Sequence, residues 1–139
     1  MVFPLLFDIT PGKERKKVLI VEDNTETQLI LKIYLRDYYD IDIVQNAADA
    51  LKFIRKYNYS LIILDINLPG DLDGSDVIVK VKSDPKRRTV PILVVTAYAL
   101  KGDKEKFMAI GANGYLAKPV DKKDILRTAK ELIASNSIK

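Results

Sequence analysis

Five polar residues stand directly after short apolar runs. Glu22 and Asp23 follow Val18–Val21, Asp65 follows Leu61–Leu64, Thr96 follows Ile92–Val95, and Lys118 follows Gly114–Ala117. Three carboxylates, a hydroxyl and an ammonium point to one kind of chemistry. Ionised carboxylates within several ångströms of one another repel, so such a group needs a raised pKa or a cation. Oxygen-only ligands suit Mg²⁺, with Mn²⁺ as the alternative. Mg²⁺ takes one or two carboxylates and completes its shell with waters and phosphate oxygens. A phosphoryl group is therefore the substrate class that fits, and its transfer needs mainly positioning and charge stabilisation. The Asp65 carboxylate is a competent nucleophile. Lys118 can neutralise one phosphoryl oxygen and the Thr96 hydroxyl can donate to another.

These groups meet only if the runs that carry them are parallel strands, whose carboxyl ends share one edge of the sheet. The chain supports that arrangement. After Val18–Val21, Asn24 reads as a helix N-cap with Glu26 in the first turn, and Leu29, Ile30, Ile33 and Tyr34 read as the apolar helix face. Ile41–Val44 is a second strand. Asn46 caps a second helix that buries Ala47, Ala50, Leu51 and Ile54, spaced i, i+3, i+4, i+7. Leu61–Leu64 is an unbroken apolar run bounded by turn residues, the pattern of a strand buried on both faces. Residues 74–82 are ambiguous, because Val77, Val79 and Val81 alternate as in a strand while Val77, Ile78 and Val81 fit a helix face. Parallel strands need a crossover here, which selects the helix, starting near Ser75 and broken at Asp84-Pro85.

Ile92–Val95 is the fourth strand, followed by a short helix around Asp103–Ile110. Gly114–Ala117 is the fifth strand. Asp121 then caps a last helix, with Asp124 as reciprocal capping partner and Ile125, Leu126, Ala129, Leu132 and Ile133 as the buried face. Strict strand–helix alternation predicts an α/β fold. The expected form is a five-stranded parallel sheet, doubly wound with helices on both faces, in the flavodoxin-like order 2-1-3-4-5. Strands one and three are then neighbours, and Glu22, Asp23 and Asp65 converge at the switch point.

Composition narrows the chemistry further. The 139 residues suit one domain, with 47% apolar and 30% charged residues. Cysteine and histidine are both absent, which excludes thiol chemistry, disulfides, the commonest general base and the usual zinc ligands. The net charge of +4 sits in short clusters such as Lys13–Lys17 and Lys86–Arg88, read as solvated helix ends and loops rather than a nucleic-acid face. No apolar run approaches the ~20 residues of a membrane span. MVFPLLFDI, residues 1–9, lacks a basic n-region and a cleavage site, so the cytoplasm is the expected location. Residues 1–16 are read as an extension and linker, 17–135 as the domain, and 136–139 as a C-terminal tail. Exposed Phe3, Leu5, Leu6 and Phe7 would form a costly apolar patch, so the extension reads either as a disordered tail or as a contact segment for a partner or a second copy.

The motifs VLIVEDN (18–24), LIILDINLP (61–69), VVTAYA (94–99) and GYLAKPV (114–120) together resemble the receiver domain of two-component response regulators, over roughly residues 16–135. The resemblance implies that Asp65 is the phospho-acceptor. It implies that Glu22 and Asp23 hold Mg²⁺, Asp23 directly and Glu22 through water, with the backbone carbonyl of Asn67 as a further ligand. Thr96 matches the hydroxyl that moves onto the phosphoryl group, Lys118 the phosphate-binding lysine, and Tyr115 the aromatic switch residue. Lys118-Pro119 matches a peptide usually cis. The implied partners are a sensor histidine kinase or histidine phosphotransfer protein and a downstream protein target, with a phosphorylation-dependent homodimer left open. The implied activity is limited to the chain's own phosphorylation and dephosphorylation. The chain departs from the family pattern between Pro69 and Gly74, where Gly70, Asp71, Leu72 and Asp73 make four residues instead of the common three. The added residue is expected in a loop at the rim, bringing further acid to the site.

Other readings fit less well. A phosphatase with an aspartate nucleophile would want a second acid two residues on, where Asn67 stands. A flavin-binding domain would want a Ser/Thr/Gly loop where Glu22-Asp23 would repel a phosphate. A degenerate receiver acting only as a protein-binding module is the alternative within the same family.

Overall fold

The computed structural model describes residues 15–97 and 100–138. The expected extension therefore lies outside the described residues, apart from Arg15 and Lys16. Strands β1 (Lys17–Val21), β2 (Asp40–Val44), β3 (Leu61–Leu64), β4 (Ile92–Thr96) and β5 (Gly114–Ala117) alternate with helices α1 (Thr25–Leu35), α2 (Ala47–Lys56), α3 (Gly74–Ser83), α4 (Asp103–Ala109) and α5 (Lys122–Ile138). The strands form one parallel sheet in the order β2-β1-β3-β4-β5, as predicted. Residues 136–138, expected as tail, continue α5.

Successive strand residues point to opposite faces, so each central strand feeds two cores. Leu19, Val21, Ile62, Leu64, Ile92 and Val94 pack on one side with α2 and α3. Val18, Ile20, Leu61, Ile63, Leu93 and Val95 pack on the other with Leu31 and Leu35 of α1 and Ile125, Ala129 and Ile133 of α5. This double burial is why β3 is apolar at every position, while edge strand β2 carries Asp40 and Asp42.

The predicted face of α1 is corrected. Leu29, Ile30 and Ile33 are 57%, 45% and 43% exposed, whereas Leu31 and Leu35 are buried. Six of the seven residues from Leu29 to Leu35 are apolar, so periodicity alone does not single out a stripe. The spacing of Leu31 and Leu35 against α5 and the sheet decides it. α3 opens at Gly74, next to Ser75, the expected start. Its N-cap is Asp73, whose side chain accepts from the Asp76 backbone N–H while the Asp76 carboxylate accepts from that of Asp73. Asn24, Asn46 and Asp121 cap α1, α2 and α5 as read from the sequence.

One polar pair, a buried tyrosine and a half-buried aspartate, ties the β2 edge to the core. The Tyr59 hydroxyl donates to Asp42 Oδ2 at 2.6 Å, and Lys17 Nζ lies 3.5 Å from the same oxygen. Burial, then the hydrogen bond and charge of Asp42, pushes the Tyr59 phenol far above its ordinary range. Tyr59→Phe removes a hydrogen bond to a charged group and is expected to cost about 1.5 kcal/mol in urea unfolding at neutral pH. Because the folded-state pKa is raised, this stabilisation is present in full below the unfolded value of about 10 and declines as pH rises above it. The gap between wild type and variant should therefore narrow only above that pH. A gap that is constant through alkaline pH would contradict the hydrogen-bond origin.

Candidate metal and phosphoryl site

Three strand ends deliver the acids and their counter-ion. Glu22 follows β1 and is 2% exposed, Asp65 follows β3 and is 6% exposed, and Asp23 beside Glu22 is exposed. One carboxylate oxygen from each of these three residues lies within 4.8 Å of those of the other two. Lys118, after β5, reaches across two strands. Its Nζ is 2.6 Å from Glu22 Oε1 and 3.2 Å from Asp65 Oδ2. Glu22 Oε2 accepts from the Asn24 backbone N–H at 3.1 Å, and Asp65 Oδ1 from that of Asn67 at 3.3 Å. The Lys118-Pro119 peptide is cis.

The electrostatics follow from this packing. Burial raises the Glu22 pKa, and the Asp65 charge adds to that, against the opposing hydrogen bonds from Lys118 and Asn24. Burial alone would lower Lys118. The hydrogen bond to Glu22 and the charges of Asp65 and Glu22 overcome it and hold the ammonium above its ordinary value. One ammonium thus faces three carboxylates. The residual negative charge and the oxygen-only donors fit a divalent cation such as Mg²⁺.

A cavity of about 600 Å³ opens over these groups, lined by Glu22, Asp23, Asp65, Asn67, Ala97 and Lys118 among others. Asn67 is exposed there. Thr96 is not among the lining residues. It is fully buried at the end of β4, with Ala97 presented to the cavity in its place. Tyr115 is half-buried on edge strand β5, and its ring stacks on Phe107 at 6.3 Å and 13°. Burial, then the charges of Asp103 and Glu105, raises its pKa.

The loop 70–73 does not bring its acids to the cluster. Asp73 is engaged in capping α3, and Asp71 lines a separate cavity of about 520 Å³ against Asn46 and Asp49. Sequence reasoning missed the supports of the site. Gln28 donates to the Glu22 carbonyl from α1, and Gly74 donates its N–H to the Ile66 carbonyl at 2.9 Å. Only Gly74 left a signal, as a glycine opening a helix close to the acidic strand end.

A doubly wound sheet with this constellation defines a receiver domain, and comparison with known proteins agrees. Residues 18–130 match the model of the response regulator receiver domain, and the chain belongs to that family. It is 34% identical over 123 residues to the polar-differentiation response regulator DivK of Brucella anthropi, covering 85% of this chain and 96% of that protein. A putative response regulator from Chloroflexus aurantiacus superposes with a TM-score of 0.83 at 31% identity, covering 87% of this chain and 99% of that one. The receiver domain of sensor histidine kinase PA1611 from Pseudomonas aeruginosa, described with magnesium coordinated in its active-site cleft, gives a TM-score of 0.80 at 32% identity over 87% and 99%. Among the described residues, no helix is long and apolar enough to cross a membrane.

Proposed function

We propose that the chain is a phosphorylation-dependent switch that accepts a phosphoryl group on Asp65. The observation that carries this reading is Lys118 held between Glu22 and Asp65 in an acidic, open cavity. Asp65 Oδ attacks phosphorus as the P–N bond of a donor phosphohistidine breaks, and the bonding pair leaves on the donor imidazole, which takes its proton from solvent. The chain has no histidine of its own, so a histidine kinase or histidine phosphotransfer protein supplies the group. Mg²⁺, held by Asp23 and Asp65 with Glu22 and the Asn67 carbonyl, would neutralise the charge that gathers between carboxylates and phosphoryl oxygens. Lys118 is placed to follow the new charge from the carboxylate to a phosphoryl oxygen. The chain acts on no other substrate; it catalyses only its own phosphorylation and dephosphorylation.

The added charge of about −1.5 to −2 is the signal. Thr96 is buried at the end of β4, next to Ala97 on the cavity wall, and its hydroxyl is the group that phosphorylation would draw towards a phosphoryl oxygen. Tyr115, stacked on Phe107 at the sheet edge, is the aromatic group that would move towards the space left behind. The switch is then a shift between two populated states, read by a downstream protein target. A receiver that only binds has no need of this acid–lysine set.

Acetyl phosphate with Mg²⁺ should place one hydroxylamine-labile phosphoryl group on each chain, and removing the divalent ion with a chelator should abolish the label. No label, or a label indifferent to chelation, would overturn the reading.

A further inference from the structure

Parallel strands share their amino ends as well as their carboxyl ends, so the sheet edge opposite the acidic site is a second place where distant parts of the chain meet. In the spatial order β2-β1-β3-β4, each strand is entered through basic residues. Arg36 stands before β2, Lys16 before β1, Arg55 and Lys56 before β3, and Arg87 and Arg88 before β4. Clusters that read from the sequence as separate solvated helix ends and loops are neighbours in the fold.

Contacts join them into one strip. Arg15, next to Lys16, donates to the Arg36 carbonyl at 2.6 Å. Lys17 and Lys56 place their ammonium groups over one ring, that of Tyr57, at 5.0 and 5.3 Å from its centre. Arg87 donates to the Ile54 and Arg55 carbonyls at 2.8 and 3.0 Å. Lys16, Arg36, Arg55, Lys56 and Arg88 are exposed, and none of them forms an ion pair among the described residues. Lys118 and Arg127, by contrast, each have carboxylate partners. The excess positive charge of the chain is thus gathered on one edge and left without counter-ions there.

A polyanion is the complement of such a strip, and its shape selects the kind. Three strand spacings of about 4.8 Å make a run of about 14 Å. That is the length of about four phosphates at 3.4 Å per nucleotide of a helical strand. The aromatic ring at its centre, Tyr57, is half-buried and already covered by two ammonium groups. It is therefore poorly placed to serve as the buried anchor on which a protein interface depends, or as the apolar face that an interfacial membrane helix inserts. A phosphate backbone needs neither, only cations held in position.

We infer that the amino-end edge of the sheet is a track for a nucleic-acid strand, held through its phosphates without base readout. The track lies at the opposite edge from Asp65, and the inference rests on the charge strip, not on phosphoryl transfer.

The test is fluorescence anisotropy of a labelled oligothymidylate of about 20 nucleotides, longer than the strip, titrated with the full chain. With about four phosphate contacts, raising salt from about 50 to 200 mM should weaken binding about fiftyfold. Lys16→Glu/Arg55→Glu/Arg88→Glu should weaken it at least tenfold at low salt. Lys101→Glu/Lys104→Glu/Lys123→Glu makes the same charge change on exposed residues toward the carboxyl ends of the strands, and should weaken it less than threefold. The milder Lys16→Gln/Arg88→Gln should lower the slope of log affinity against log salt by about 1.4. Equal weakening by the two triple variants, an unchanged slope in the milder one, or no binding at low salt overturns the track. Polyglutamate bound as tightly as the oligothymidylate overturns it in favour of an acidic protein segment. Binding to vesicles of equal parts phosphatidylserine and phosphatidylcholine, without binding to the oligothymidylate, overturns it in favour of a membrane surface.

Discussion

Asp65→Asn is expected to lose phosphoryl labelling by acetyl phosphate to background, a fall of about a thousandfold or more, while the fold stays intact. The amide has the shape of the carboxylate but no anionic oxygen to attack phosphorus. Its Oδ1 can still accept from the Asn67 N–H, and Lys118 keeps its shorter contact with Glu22 at 2.6 Å. Removing one charge from a cluster of three carboxylates also relieves repulsion between Asp65 and Glu22, which contributes to raising the Glu22 pKa. Stability should therefore stay level or rise, and urea unfolding beside the labelling assay separates lost chemistry from lost structure. Equal labelling of wild type and variant would remove Asp65 from the acceptor role.

Much of this site was legible because its carriers obey local rules. The runs at 18–21 and 61–64 are buried on the sheet, and the half-buried edge run at 114–117 follows the turn residues Asn113 and Gly114, so their ends, and the groups that follow them, could be placed from the sequence. The α2 stripe of Ala47, Ala50, Leu51 and Ile54 was legible for the same reason, since polar residues separate its apolar ones. In α1 almost every residue from 29 to 35 is apolar, and only packing against α5 chooses Leu31 and Leu35. The depth of Thr96 was not legible either. A threonine closing a strand looks the same whether it or the next residue meets the cavity, and here Ala97 lines the cavity while Thr96 is buried. Long-range polar anchors left no trace. Lys82 donates to the Val90 carbonyl at 2.8 Å and to Asn113 Oδ1 at 2.9 Å, joining the α3–β4 loop to the turn before β5 through residues far apart in sequence.

Gly74→Ala should be among the most disruptive single-methyl changes in the protein. Gly74 opens α3 directly against the acidic strand end. A Cβ placed there would lie 2.4 Å from the Asp65 carbonyl oxygen and 2.7 Å from Ile66 Cα, both backbone atoms that no rotamer change can move aside. The Gly74 N–H also bonds the Ile66 carbonyl, so α3 cannot retreat without breaking a contact that holds the strand end in place. Overpacking of this kind typically costs 1–3 kcal/mol, and a backbone clash belongs at about 3 kcal/mol. The same displacement reaches the chemistry, because moving the Asp65 backbone shifts its carboxylate relative to Lys118, Glu22 and Asp23. A misplacement near 1 Å can cost about a hundredfold in rate. The variant should therefore unfold at lower urea with an unchanged slope, and what remains folded should label slowly. A control at Gly70, where an added Cβ meets nothing within 4 Å but φ is +101°, separates strain from collision. Gly70→Ala should lose stability through backbone strain in the loop and keep its labelling rate, whereas Gly74→Ala loses both. Equal labelling rates for the two variants would show that the α3 contact does not position Asp65.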